Sequence, residues 1–154
     1  MSIALVRNPG DGPAFRYYNT GVEQVVSTDE TSGAITVSRL NMPRADAPPL
    51  HTHSREDESW VILSGRVRFW IGSTSLATCD VYDAEPGAFI YGPRSVPHTL
   101  QPITETAEIL QINNPGAVEG YFRAIGPADA RADEEHADLL ARYGVALLDH
   151  PPSV

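Results

Sequence analysis

The chemistry-bearing side chains of this chain crowd into Pro49-Leu50-His51-Thr52-His53-Ser54-Arg55-Glu56-Asp57-Glu58, a run of two histidines and three acids followed by a glycine at Gly65. On a strand, side chains at i and i+2 share one face and stand roughly 6–7 Å apart. His51 and His53 are therefore expected to converge on one metal ion through bonds of about 2.1 Å, with a third histidine arriving from further along. Three acids compete for the remaining place. The offset from His53 to Glu58 is odd, so a turn must separate the histidine strand from the next one. Glu58 opens that next strand on the face of Trp60 and Ile62, which points its carboxylate inward. Glu56 and Asp57 are expected in the turn, facing water. Glu58 is the acid the pattern selects.

The surrounding segments have to be strands to place these groups. Thirteen prolines and twelve glycines cut the sequence into short pieces, which indicates a sandwich or barrel rather than a helical bundle. Ala14 to Val26 reads as one or two strands broken near Thr20-Gly21, and Gly33 to Met42 as a half-buried strand. Glu58 to Ser64 is apolar on both faces, Trp60/Ile62 and Val61/Leu63. One face therefore needs the barrel interior and the other a cover, either the N-terminal segment or a second subunit. Gly65 is expected to turn this strand into a hairpin with Arg66 to Ile71. Short strands follow near Cys79 to Tyr82, Ala88 to Tyr91 and Val96 to Leu100, then a clear one over Thr106 to Asn113. After Pro115 the period changes. Val118 to Ile125 and Asp133 to Tyr143 read as short helices, the second ended by Gly144. The expectation is a single domain over 1–154, with a barrel core at about 14–114 and a helical tail at about 118–150.

The totals exclude several classes. Twenty acidic residues against eleven basic ones, all arginine, give a net charge of −9. That balance argues against nucleic acid and anionic membrane as partners, since both need a basic face. Cys79 is the one cysteine, so no disulfide forms within the chain, and it reads as a small buried side chain. No apolar run reaches the length of a membrane span, and residues 1–13 lack the pattern of a signal peptide, so the expected location is the cytoplasm. His136 and His150 have no partners in the pattern and read as solvated.

The run His51-x-His53-x4-Glu58-x6-Gly65 resembles the first motif of the cupin superfamily at every ligand position, and Gly87-x5-Pro93-x-Ser95-x2-His98 resembles the second. Three positions depart from it. Ala45 and Ser95 stand where the motifs usually have glycine, and Pro102 where asparagine is frequent. The tail from Glu119 to Gly144 is similar to that of single-domain cupins of the quercetin 2,3-dioxygenase type. The resemblance implies an all-β fold, an antiparallel jelly-roll barrel with a short helical C-terminal tail. It implies one divalent metal ion (Fe, Mn, Ni, Co, Cu or Zn) held by His51, His53, Glu58 and His98, a set whose imidazoles and carboxylate suit these ions.

Up to two positions on an octahedral ion stay open beside those four ligands. They suit a chelating enolate or phenolate, or one substrate oxygen beside O2. The leading expectation is thus a dioxygenase for an aromatic, flavonol-like substrate, with Glu58 both ligand and base and a pocket drawn from Trp60, Ile62, Phe89, Tyr91 and Leu100. The alternatives are a redox-neutral cyclase, isomerase or lyase for an enolisable substrate, and a non-enzymatic small-molecule-binding cupin. The two-faced strand at Glu58 to Ser64 points to a homodimer.

Overall fold

Alternation of apolar and polar residues builds most of the strands. The computed structural model describes residues 3–126 and 136–154. In order, the strands are β1 (Ala14–Tyr17), β2 (Thr20–Val26), β3 (Thr36–Pro43), β4 (Leu50–His53), β5 (Asp57–Ser64), β6 (Val67–Ile71), β7 (Asp80–Ala84), β8 (Phe89–Gly92), β9 (His98–Pro102), β10 (Thr106–Asn114) and β11 (Val145–Asp149). Among the described residues, two short helices, α1 (Glu119–Ile125) and α2 (Ala137–Arg142), lie between β10 and β11. The strands form two sheets, ordered β1-β2-β3-β10-β5-β8 and β11-β4-β9-β6-β7. Every strand pairing among the described residues is antiparallel. This is an all-β jelly-roll barrel.

Period-two patterning closes it. Ala107, Ile109, Gln111 and Asn113 of β10 are buried, while the residues between them are less so. In β5 the inward face is Glu58, Trp60 and Ile62. Facing them across the barrel are Val67 and Phe69 of β6 and Leu100 of β9, and Leu40 and Met42 of β3 complete the core. Full burial of each such side chain stabilises the fold by about 1.5–3 kcal/mol before conformational entropy is subtracted. Trp60 is the largest of them, and its indole Nε1–H donates to Gln111 Oε1 at 3.1 Å rather than being left unpaired.

Several expectations are corrected. β5 and β6 form no hairpin: β5 pairs with β10 and β8, β6 with β9 and β7, so the chain changes sheet at Gly65. Gly65 has φ +77°, and a Cβ there would lie 2.6 Å from the Thr106 carbonyl oxygen, which is why the corner needs glycine. The break in the first segment falls at Tyr18-Asn19, two residues earlier than expected, and Asp46 caps it by accepting the Asn19 backbone N–H at 3.0 Å. The tail is not helical to residue 150. Val145–Asp149 is a strand on the edge of the smaller sheet, paired with β4. The second helix begins at Ala137 among the described residues, and the expected start at residues 133–135 lies outside them.

Candidate metal centre

Strand direction and register bring four side chains together. His51 and His53 lie on β4, and His51 sits directly opposite His98 of the neighbouring β9. Glu58 enters from β5 in the other sheet, so three imidazoles face one carboxylate across the barrel. His53 Nε2 lies 3.1 Å from His51 Nε2 and 3.1 Å from Glu58 Oε2, and His98 Nε2 lies 2.8 Å from the same Glu58 oxygen. One donor atom from each of the four residues falls within 4.8 Å of all the others. Adjacent ligands on an octahedral ion with bonds of about 2.1 Å are separated by roughly 3.0 Å, so the spacing fits one divalent metal ion.

The outer atoms of these residues are fixed as carefully as the inner ones. His51 Nδ1–H donates to the Pro49 carbonyl at 2.7 Å and His98 Nδ1–H to the Val96 carbonyl at 3.1 Å. His53 Nδ1–H donates to Glu56 Oε1 at 2.6 Å. All three Nδ1 protons thus point outward, which leaves the Nε2 lone pairs for an ion. Glu58 Oε1 accepts the Asn113 Nδ2–H at 3.0 Å, so its other oxygen faces the histidines. Asn113 Oδ1 in turn accepts from Gln111 Nε2 at 3.2 Å, and Gln111 Oε1 from Trp60. The carboxylate is anchored through three side chains of β10 and β5.

Without an ion, the cluster is a buried charge network. His51 is pushed down to about 3 by burial and by its neighbours His98 and His53. Burial also acts against a charged His53, but the Glu58 carboxylate and the bonds to Glu56 and Glu58 outweigh it and raise His53 to about 10. Burial would raise Glu58; the facing His53 and His98 outweigh that and hold it well below the usual carboxylate range. A proton on His53 therefore occupies the place a cation would take.

Two acids are not where the sequence put them. Glu56 was expected in water; it is 3% exposed and turns back to orient His53. Asp57, which opens β5, accepts both the backbone N–H of Arg94 at 2.8 Å and its Nε–H at 3.1 Å, pinning the loop before His98. That loop is also tied to β4 by the Ser95 N–H donating to the His53 carbonyl at 2.7 Å, with Ser95 at φ +65° where the motif has glycine. Asn113, Gln111 and Glu56 escaped the sequence reading. Only Glu56 left a signal, an acid three residues after a candidate ligand.

An apolar cavity opens over the cluster, with Trp60 and Leu100 in its wall. Ile62 lies in the core instead, and Phe89 and Tyr91 point outward from β8, 63% and 55% exposed, because they alternate with the inward residues of that strand. In their place Tyr17 of β1 and Val118, Tyr121, Phe122 and Leu140 of the helical segment roof the cavity. His136 precedes α2, and His150 is exposed at the end of the chain.

Barrel and site together describe a small jelly-roll protein in which three histidines and a glutamate are spaced so that they could hold a metal ion. Residues 39–113 match the family model described as Cupin domain. This stretch, about half of the chain, is therefore a cupin domain. Among solved structures the chain is similar to Streptomyces Pac13 with uridine (TM-score 0.62, 11% identity, covering 97% of this chain and 94% of that one). It is also similar to KdgF from Halomonas sp. (TM-score 0.61, 11% identity, 73% and 96%). A third likeness is to oxalate decarboxylase of Bacillus subtilis (TM-score 0.59, 17% identity), where the match covers 99% of this chain but 45% of that one; that enzyme's structures include one describing Mn(II) centres. At these identities the likeness shows the fold. No curated protein matches the sequence.

Proposed function

We propose that the protein is a metal-dependent enzyme, a dioxygenase acting on a small aromatic or otherwise enolisable substrate that chelates the ion. The observation that carries this reading is the four-ligand cluster at the floor of an apolar cavity, with room for further ligands on the cavity side. When bound, the ion supplies Lewis-acid polarisation and, if redox-active, electron transfer between substrate and O2. His51, His53 and His98 hold it, and the Glu56 carboxylate fixes the His53 ring. Glu58 Oε2, the oxygen turned toward the histidines, takes the hydroxyl proton of the substrate, while Asn113 keeps Oε1 engaged. The apolar wall excludes water from the site.

A redox-neutral reading, dehydration or lyase action on an enolisable substrate, draws on the same cavity and on the fold likeness to Pac13, described as a nucleoside dehydratase. Turnover of a catechol and flavonol panel by iron-loaded protein, with an oxygen electrode, separates the two. Oxygen uptake equal to substrate consumed supports the dioxygenase. Turnover that persists anaerobically supports the redox-neutral enzyme, and no conversion by either route rejects both.

A second copy of the chain is the proposed partner. Val61 and Leu63 face away from the barrel beside the exposed Phe89 and Tyr91. Light scattering at micromolar concentration should give the mass of a dimer, and a monomer contradicts the pairing.

A further inference from the structure

Two of the four clustered residues sit on β4, a strand of only 4 residues, so the neighbours of β4 decide where their rings lie. On one side it meets β9, with His51 opposite His98. On the other it carries β11, with Val145 opposite His53, Ala146 opposite Thr52 and Leu147 opposite His51. β11 is the edge of that sheet, and no further strand lies beyond it among the described residues. Residues directly opposite each other share a face of the sheet. Val145 and Leu147 accordingly turn with the histidines toward the cavity, and both line it.

The bend after β4 is tied to the same segment. Ser54 donates twice to the Gly144 carbonyl, from its backbone N–H at 2.9 Å and from its Oγ–H at 3.1 Å. The Arg55 guanidinium donates through Nη1 to the Arg142 carbonyl, the last of α2 and an acceptor the helix itself leaves unused. Gly144 stands between helix and strand at φ +73°, and a Cβ there would lie 2.6 Å from Ser54 Oγ and 2.9 Å from Arg55 Cγ. Only glycine lets the two segments come this close. At the far end of β11, the Asp149 carboxylate accepts the Leu76 backbone N–H at 2.9 Å. The strand of the histidines is therefore seated against the C-terminal segment along its length and again at the bend.

We propose that Ser54 and Arg55 are positioning residues for the metal centre: by clamping α2 and β11 onto β4 they make seating of the C-terminal segment and binding of the ion one coupled equilibrium. The proposal rests on the metal-dependent reading of the cluster and adds a control element outside it. An edge strand held from one side opens at a lower free energy than the barrel around it. When β11 leaves, β4 becomes the edge, and His51 and His53 lose the ladder that fixes their spacing. Neither Ser54 nor Arg55 belongs to the cluster, so their effect reaches the ion through the backbone. Coupling of this kind is reciprocal. Whatever loosens β11 weakens the hold on the ion, and the ion in turn keeps β11 closed, by about fivefold at the lower end of such couplings.

Hydrogen exchange of the full chain, read by mass spectrometry with and without Zn²⁺, tests the coupling before any substitution is made. Zn²⁺ should slow exchange across β11 by about fivefold or more, while β7, the opposite edge of the same sheet, keeps its rate. In competition against a chelator, Arg55→Ala should bind Zn²⁺ about fivefold or more weakly than the wild type. It should also alter the visible spectrum of bound Co²⁺. Arg55→Lys should recover most of both, because an ammonium group also donates to a carbonyl. Exchange across β11 that is indifferent to Zn²⁺, or slowed no more than that of β7, overturns the proposal. Wild-type Zn²⁺ affinity in Arg55→Ala overturns it as well, leaving the clamp a structural contact beside an intact metal centre. A wild type that retains neither Zn²⁺ nor Co²⁺ sinks the metal reading itself, and the proposal with it.

Discussion

Replacing Glu56 by Gln tests whether a residue that does not touch the ion governs its affinity. The carboxylate accepts the His53 Nδ1–H at 2.6 Å, and both side chains are almost fully buried. It acts on two cations that compete for the far nitrogen of that ring, a proton and the metal. With an effective dielectric constant of about 20, the carboxylate at roughly 4 Å from an imidazolium is worth about 4 kcal/mol. At roughly 6.5 Å from a divalent ion it is worth about 5 kcal/mol. The difference, about 1 kcal/mol in favour of the metal, sets a loss of roughly fivefold to tenfold in metal affinity at pH 7 for Glu56→Gln, at the lower end of what outer partners of metal-bound histidines contribute.

The same substitution has a second signature. In the wild type His53, raised to about 10, must release a proton when the ion binds, so affinity rises by about tenfold per pH unit up to that value. Without the Glu56 charge the proton leaves at lower pH, and the slope flattens between pH 7 and 9. Competition against a fluorescent chelator at several pH values measures both quantities. An affinity and a slope equal to those of the wild type would refute the reasoning.

Asn113→Leu removes the donor held 3.0 Å from Glu58 Oε1 and strands the Gln111 amide, which should cost about 2–3 kcal/mol in chemical denaturation of the metal-free protein and alter the electron paramagnetic resonance spectrum of bound Mn²⁺. An unchanged spectrum would show that the carboxylate needs no anchor. In metal-free protein the raised His53 contributes stability that is complete below about pH 6.5 and is lost as pH climbs through about 10. His51, pushed down to about 3, acts in the opposite range, removing stability as pH falls below about 6.5. The gap in melting temperature between loaded and metal-free protein should thus widen from pH 6 to pH 9, and a constant gap contradicts the proton-for-metal exchange. Gly65→Ala combines φ +77° with a 2.6 Å approach to the Thr106 carbonyl, so it should lower the melting temperature by at least about 2–4 °C.

Three of the four clustered residues were legible from simple geometry, and His98 only from the resemblance of its surroundings to the second cupin motif. His51 and His53 share a strand face, and Glu58 shares one with Trp60 and Ile62, an alternation that holds inside β5. It fails one step outside the strand. Glu56 lies in the bend before β5, where side-chain direction follows turn dihedrals that no period encodes, and it points inward. Strand pairing was equally hidden. The apolar runs of β5 and β6 around Gly65 look like a hairpin, and only the competing partners β10 and β9 draw them into different sheets. β11 was missed because Val145-Ala146-Leu147-Leu148 lacks the alternation of a half-buried strand, and its strand state comes from pairing with β4. Phe89 and Tyr91 looked like pocket residues from their type, but with Ile90 set between them they face outward.

The central claim is that His51, His53, Glu58 and His98 together hold one divalent ion. Metal analysis of protein purified without chelator, set beside the His51→Ala, His98→Ala and Glu58→Gln variants, tests it most directly. The expected result is close to one Fe, Mn, Ni, Co, Cu or Zn ion per chain in the wild type and a loss of most of it in each variant, with the β-sheet signal in circular dichroism retained. Metal content that stays the same in all three variants, or a wild type that neither carries nor takes up a divalent ion, would contradict it.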